Sequence, residues 1–65
     1  MRVQVNGSWR EVGAATLAAA LTDLGYGDAV VTTAMNGEFV ACEARPRTLL
    51  AEGDRIEVLA PMQGG

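Results

Sequence analysis

Residues 15–27 read ATLAAALTDLGYG, and this stretch decides the fold. Its leucines fall at positions i, i+4 and i+7, the spacing that aligns side chains along one side of an α-helix; they are Leu17, Leu21 and Leu24. Thr16 is placed to cap the amino end of this helix, and Gly25 stands where a glycine commonly ends one. The alanines at 18–20 favour helix and allow a sheet to approach closely. We therefore predict one helix with a single apolar stripe.

Alternating residues before the helix predict a β-hairpin. Residues 1–5, MRVQV, place every second side chain on the same side of a strand; these are Met1, Val3 and Val5. Residues 8–12, SWREV, supply the return strand. Asn6 and Gly7 lie between the two, and Asn-Gly is the strongest short-range signal for a hairpin turn.

The register of this first hairpin has two possible forms. A two-residue loop sets Arg10 opposite Val3, whereas a three-residue loop sets Trp9 opposite Val5. We expect the longer loop, because it gives the only tryptophan of the chain a buried face.

Three further strands are predicted after the helix. Residues 29–41, AVVTTAMNGEFVA, are rich in β-branched residues and carry a second Asn-Gly turn, so they predict another hairpin. Residues 42–50, CEARPRTLL, are the least regular, and Pro46 bars a central strand there. After a turn at AEGD, residues 55–60, RIEVLA, form a final strand. One side of it carries Ile56, Val58 and Ala60, and the other carries Glu57 and Leu59.

The resulting order is strand, strand, helix, strand, short strand, turn and strand. One helix and one sheet must cover each other, since neither can bury its apolar side alone. This order is that of the ubiquitin-like β-grasp fold: an α+β domain over residues 1–60, with a mixed sheet of four to five strands and one main helix across it. A ferredoxin-like domain would need a second helix. We expect the leucine stripe to pack on Val3, Val5, Ile56 and Val58.

Composition excludes several kinds of function. The chain of 65 residues has a net charge of −3 and dispersed arginines, so we expect no nucleic-acid partner. It has no histidine, the usual general base, and no lysine for Schiff-base chemistry. We therefore expect no catalytic residue, bound cofactor or metal. No stretch is long enough to cross a bilayer and no signal segment leads the chain, so we expect a cytoplasmic protein without a membrane partner.

The last five residues are predicted to form a flexible tail. Pro61 cannot donate to a sheet ladder, so the final strand should stop before it. The tail ends in Gly64 and Gly65, which carry no side chain and can enter a narrow channel. Its reactive group is then the terminal carboxylate.

Five segments carry a resemblance to a known family. They are VNG at 5–7, ATLAAAL at 15–21, AMNGEFV at 34–40, EGDRIEVL at 52–59 and QGG at 63–65. In this order, and together spanning nearly the whole chain, they resemble the ThiS family of sulfur carrier proteins of thiamine biosynthesis. The small subunit of molybdopterin synthase is similar, though less closely.

The resemblance implies a carrier that acts as a cosubstrate and is not itself an enzyme. An E1-like adenylyltransferase would use ATP to adenylate the Gly65 carboxylate, and sulfur from a donor enzyme would turn it into a thiocarboxylate for thiazole synthase. Gln63 and Gly64 would give access to the partner's site. We expect Leu59 and Met62 to dock the partner, because an exposed apolar residue beside a functional tail indicates an interface. The free protein is expected to be a monomer.

Other readings remain open from the sequence. The sulfur could serve molybdopterin or another metabolite, the chain could be a ubiquitin-like protein modifier, or it could be a plain β-grasp interaction module. Cys42 is expected to be a half-buried filler, since no histidine or lysine is present to activate its thiol. Three arginines are expected to be solvated: Arg45, Arg47 and Arg55.

Overall fold

The computed structural model describes residues 1–27 and 29–60, which form one sheet, one α-helix and one 3₁₀ helix. Five strands make the sheet: β1 (Arg2–Val5), β2 (Ser8–Glu11), β3 (Thr32–Met35), β4 (Glu38–Val40) and β5 (Arg55–Leu59). The helix α1 is Leu17–Asp23, and the 3₁₀ helix is Cys42–Arg47. The irregular segment of the sequence therefore contains helical turns, with Pro46 inside them.

The strands lie side by side in the order β2-β1-β5-β3-β4. β1 and β5 run parallel, while the three other pairs are antiparallel. The last strand along the chain is therefore the central strand of the sheet. This five-stranded mixed sheet with one main helix is the ubiquitin-like β-grasp fold, as the element order predicts.

Both ends of α1 form as the sequence indicates. The Thr16 side chain accepts a hydrogen bond of 3.2 Å from the Ala19 amide, which satisfies a free donor of the first turn. Gly25 follows the C-cap Leu24 and has a φ of +94°, a conformation that glycine adopts without a steric penalty. The cap and the glycine thus fix the length of the helix.

The core lies between α1 and one face of the sheet, here called the inner face. Its buried members include six of the seven residues predicted to meet there, Leu17, Leu21, Val3, Val5, Ile56 and Val58. Leu24 is half-buried against this cluster, and the core also takes in Val12, Ala20 and Leu50. Met1 and Ala60 continue the two alternating patterns but lie outside the strands and are exposed.

The first hairpin has the two-residue loop, so the predicted longer loop is wrong. Val5 pairs with Ser8 and Val3 with Arg10. Asn6 and Gly7 have φ values of +51° and +85°, and positive φ at both central positions gives a turn whose twist matches the flanking strands.

This register places Trp9 opposite Gln4, on the face of the sheet away from α1. Trp9 is 50% exposed and is not part of the core. The Arg2 guanidinium carbon lies 4.8 Å from the centre of its ring, a cation–π contact that covers one side of the indole.

Two expectations for the 3₁₀ helix are also wrong. Cys42 is exposed rather than half-buried, because it stands in the first turn of this helix. Arg45 is not solvated: its Nε donates to the Thr33 hydroxyl at 2.9 Å, and its Nη2 donates to the Val31 carbonyl. The Thr33 hydroxyl, fully buried, donates in turn to the Val40 carbonyl at 2.8 Å. Arg45 therefore ties the 3₁₀ helix to β3.

We expect Arg45→Met to lower the free energy of unfolding by about 1–3 kcal/mol, because the buried Thr33 hydroxyl and the partly buried Val31 carbonyl lose their donor. Arg47→Met, at an exposed position of the same helix, should change it by less than about 0.5 kcal/mol. Urea denaturation of both variants measures the difference. Equal midpoints would mean that the Arg45 contacts contribute nothing to stability.

Candidate functional site

The candidate site is built around the end of β5, on the face of the sheet away from α1, here called the outer face. β5 alternates, so Ile56 and Val58 enter the core while Leu59 turns outward. Leu59 is 69% exposed and pairs with Thr32 of β3. The sequence expectation that Leu59 lies apart from the core is confirmed.

A shallow groove of about 640 Å³ lies beside Leu59, here called the outer groove. Backbone or side-chain atoms of both hairpin turns and of three neighbouring strands line it: Asn6, Gly7, Thr32, Thr33, Ala34, Gly37, Phe39, Glu57 and Leu59. Ala34 pairs with both Phe39 and Glu57, and its small side chain leaves the floor low between them. The groove is thus bordered by two large apolar side chains, Leu59 and Phe39, and by the carboxylate of Glu57 on the same strand as Leu59.

Phe39 is a functional candidate that sequence reasoning missed. It is 70% exposed and belongs to the same outer face as Leu59. The signal was present, because alternation in EFV sends Phe39 opposite to Val40, whose strand partner Thr33 is buried. Together with Trp9 on β2, these side chains give the outer face three exposed large apolar groups. An exposed set of this kind indicates a protein-binding surface.

The remaining predicted site residues lie outside the described residues. They are the docking residue Met62, the access residues Gln63 and Gly64, and the terminal Gly65. Ala60 is the last described residue, and it follows directly after Leu59 at the end of β5. β5 therefore ends beside the outer groove, immediately before the tail begins in the sequence.

The described part of the chain offers no constellation of catalytic groups at this place. Within residues 1–27 and 29–60, no cluster of three His, Cys, Asp or Glu side chains could hold a metal ion. Cys42 lines a separate depression together with Ala18 and Thr22 of α1. No helix among these residues has the length and apolar character needed to cross a bilayer.

Comparison with known families decides the kinship of this chain. The model of the ThiS family matches residues 3–65, which include the helix, the final Gly-Gly and all five strands except Arg2. The chain belongs to the ThiS family.

Solved structures agree with ThiS membership. The crystal structure of the thiamine biosynthesis protein ThiS from Geobacter metallireducens superposes with a TM-score of 0.83, at 36% identity over 100% of both chains. The solution NMR structure of a thiamine biosynthesis protein from the same organism gives 0.78, at 33% identity over 100% of this chain and 88% of that one. No curated protein is significantly similar in sequence. The ThiS kinship thus rests on both sequence and fold.

Proposed function

We propose that this protein is a sulfur carrier of thiamine biosynthesis that holds sulfur as a thiocarboxylate on Gly65. The observation that carries the proposal is membership in the ThiS family over residues 3–65, including the terminal Gly-Gly. The relative from Geobacter metallireducens, similar over its whole length, is described as a thiamine biosynthesis protein.

The chemistry follows from the fact that a carboxylate has no good leaving group. Its oxygen is a poor leaving group, so the Gly65 carboxylate first attacks the α-phosphorus of ATP and releases pyrophosphate. In the resulting acyl adenylate AMP is the leaving group. Hydrosulfide adds to the carbonyl carbon, AMP departs, and the thioacid loses its proton to give the thiocarboxylate. No electrons are exchanged when the sulfur source is hydrosulfide, and the product is a strong nucleophile.

The position of residues 61–65 in the sequence supports this chemistry, because they follow directly after Ala60 and the central strand β5. The five residues 61–65 can span at most about 3.3–3.6 Å each, or about 17 Å in all. A nucleotide site at that depth in a partner is therefore within reach while the domain remains outside. Gln63 and Gly64 would occupy the entrance, where the missing side chain of Gly64 permits the closest approach.

Docking is assigned to the outer groove and the residues beside it. Leu59 and Phe39 are exposed apolar side chains at its border, and large apolar residues at the centre of an interface carry most of the binding energy. Met62 would join Leu59, since its thioether adapts to uneven surfaces. Three partners follow from the proposed reaction: an E1-like adenylyltransferase, a sulfur donor enzyme and thiazole synthase. The protein would serve them as a cytoplasmic cosubstrate and as a monomer between encounters.

Intact-mass measurement tests the proposal. The full chain is incubated with the E1-like enzyme, ATP and sulfide, and the expected gain is one oxygen-to-sulfur exchange that fragmentation places on Gly65. Addition of thiazole synthase and its other substrates should return the mass to that of the free carboxylate. A loaded chain that keeps its sulfur with thiazole synthase would point to another acceptor, and a chain that is never modified would overturn the carrier function.

Leu59→Glu should weaken binding to the E1-like enzyme about tenfold or more, because it places a charge in an apolar contact. The free energy of unfolding should stay within about 0.5 kcal/mol, since the side chain is 69% exposed. Leu49→Glu is the matched control, because Leu49 is 72% exposed but does not line the outer groove. Titration calorimetry gives the two dissociation constants. Equal weakening of binding by both variants would contradict the placement of Leu59 in the interface.

A further inference from the structure

The side chain of Asn6 makes two hydrogen bonds to the backbone of a single residue of β5. The Val58 amide donates to Asn6 Oδ1 at 2.8 Å, and Asn6 Nδ2 donates to the Val58 carbonyl oxygen at 3.1 Å. The backbone N–H of Asn6 also donates a hydrogen bond, to the Ile56 carbonyl at 2.9 Å. Three bonds therefore connect the first turn of the chain with the last strand, about fifty residues later in the sequence.

The two side-chain bonds of Asn6 take the place of one further backbone pair between β1 and β5, which the main chain cannot form. β1 pairs with β5 as far as Val5 and Ile56, and then the backbone of Asn6 turns away with a positive φ. A primary amide has a donor and an acceptor like those of a peptide group. The side-chain amide of Asn6 therefore extends the parallel ladder to Val58, whose backbone would otherwise lack a partner on the β1 side.

The extension lies at the functional end of β5. On the opposite side, β3 holds the same stretch through the pairs Thr33 with Val58 and Thr32 with Leu59. With Asn6 in place, Val58 is hydrogen-bonded on the β1 side and paired with Thr33 on the β3 side, immediately before Leu59 and two residues before Ala60. The orientation of Leu59 and the point where the tail leaves the domain both depend on this stretch.

We propose that Asn6 is a positioning residue for sulfur loading. It acts through Val58, fixing Leu59 against the partner and fixing the starting point of the tail relative to the partner's nucleotide site. This inference rests on the proposed carrier function. Misplacement by about 1 Å at a reacting centre can cost 100-fold in rate, so a loosened strand end should be visible in the kinetics.

The second Asn-Gly turn supplies a matched control. Asn36 has a φ of +53°, close to the +51° of Asn6. Its Oδ1 accepts from the Arg55 amide at 2.9 Å, and its Nδ2 donates to Asp54 Oδ1 at 3.1 Å. Asn36 thus binds the start of β5 with the same two atoms, at the end of the strand away from the tail.

The experiment compares Asn6→Gly with Asn36→Gly in the full chain. Glycine adopts positive φ without strain, so each variant keeps the turn and loses only the side-chain bonds. Amide hydrogen exchange reports on Val58 and Arg55, and urea denaturation gives the stability of each variant. Steady-state adenylation with the E1-like enzyme gives kcat/KM. If Asn6→Gly does not fold, Asn6→Asp takes its place. The aspartate keeps the acceptor for the Val58 amide and loses the donor to the Val58 carbonyl.

For Asn6→Gly we expect faster exchange at Val58 and a fall of about tenfold in kcat/KM for adenylation. For Asn36→Gly we expect faster exchange at Arg55, a similar loss of stability and a kcat/KM within about twofold of the original chain. A merely structural role would lower kcat/KM equally in both variants.

Other outcomes overturn the inference at separate points. Unchanged exchange at Val58 in Asn6→Gly would show that the side-chain bonds do not hold the strand. Faster exchange with an unchanged kcat/KM would show that the held strand does not position the tail, while the carrier function stands. Absence of any modification of the original chain would overturn the carrier function and this inference together.

Discussion

We expect deletion of Gly65 to abolish formation of the thiocarboxylate and to leave the free energy of unfolding unchanged within about 0.5 kcal/mol. The reason is that the proposed reaction uses one carboxylate at one distance from the domain. Removal of a residue draws that carboxylate back by roughly 3.5 Å, and displacement of even about 1 Å can cost 100-fold. Stability should be unaffected because every core residue in the part of the chain that the structure describes lies within residues 3–58.

An added residue after Gly65 provides the complementary test. It moves the carboxylate outward by the same distance, so loading should again be lost, although Gly64 and Gly65 are both present. Intact mass after reaction with ATP, sulfide and the E1-like enzyme measures loading, and urea denaturation measures stability. If the shortened chain were loaded as well as the original, the terminal carboxylate of Gly65 could not be the sulfur-carrying group.

Leu17→Ala should produce the largest loss of stability among single substitutions in the helix, about 2–5 kcal/mol. Leu17 is fully buried and starts α1, where its amide also donates to the Thr48 carbonyl at 2.9 Å. The substitution leaves a cavity between helix and sheet. A domain of this size has roughly 3–10 kcal/mol in total, at 0.05–0.15 kcal/mol per residue, so a large share would be lost.

The control is Leu49→Ala, which removes the same atoms from a side chain that is 72% exposed. It should change the free energy of unfolding by less than about 0.5 kcal/mol. Chemical denaturation followed by circular dichroism measures both variants under the same conditions. Similar midpoints for the two would contradict the placement of Leu17 at the centre of the core.

Local signals in the sequence predicted most of the fold. The leucine spacing, the Thr16 cap and Gly25 act within one helix, and each operates as it would in an isolated segment. The alternation of β5 likewise predicted that Leu59 faces away from Ile56 and Val58. Such features are readable because their physical causes lie within a few residues of one another.

The register of the first hairpin was predicted wrongly from the general preference of tryptophan for burial. Burial of the only tryptophan favoured the longer loop, but the turn chemistry of Asn6 and Gly7 determined the register. Trp9 obtains cover from Arg2, a cross-strand neighbour whose stacking the sequence pattern does not specify. Turn geometry was the stronger constraint, because a different loop length would have changed every pair of the hairpin.

Contacts between distant segments could not be predicted. Arg45 reaches Thr33 because the 3₁₀ helix folds back on β3, and Asn6 reaches Val58 because β1 and β5 lie side by side. Neither contact leaves a periodic trace in the sequence. The outer groove also depends on the strand order. Phe39 of β4 and Leu59 of β5 line the same groove because their two strands lie on either side of β3.

The central position of β5 also has a mechanical consequence. A partner that grips the residues after Leu59 pulls β5 along its own axis, and β1 and β3 hold that strand from both sides. Their hydrogen bonds lie across the direction of the pull, so they share the load in shear instead of breaking one after another. Resistance to force depends on the rate of unfolding, which such sharing slows. We therefore expect the domain to withstand a pull applied through the residues after Leu59 better than it would if β5 lay at an edge of the sheet.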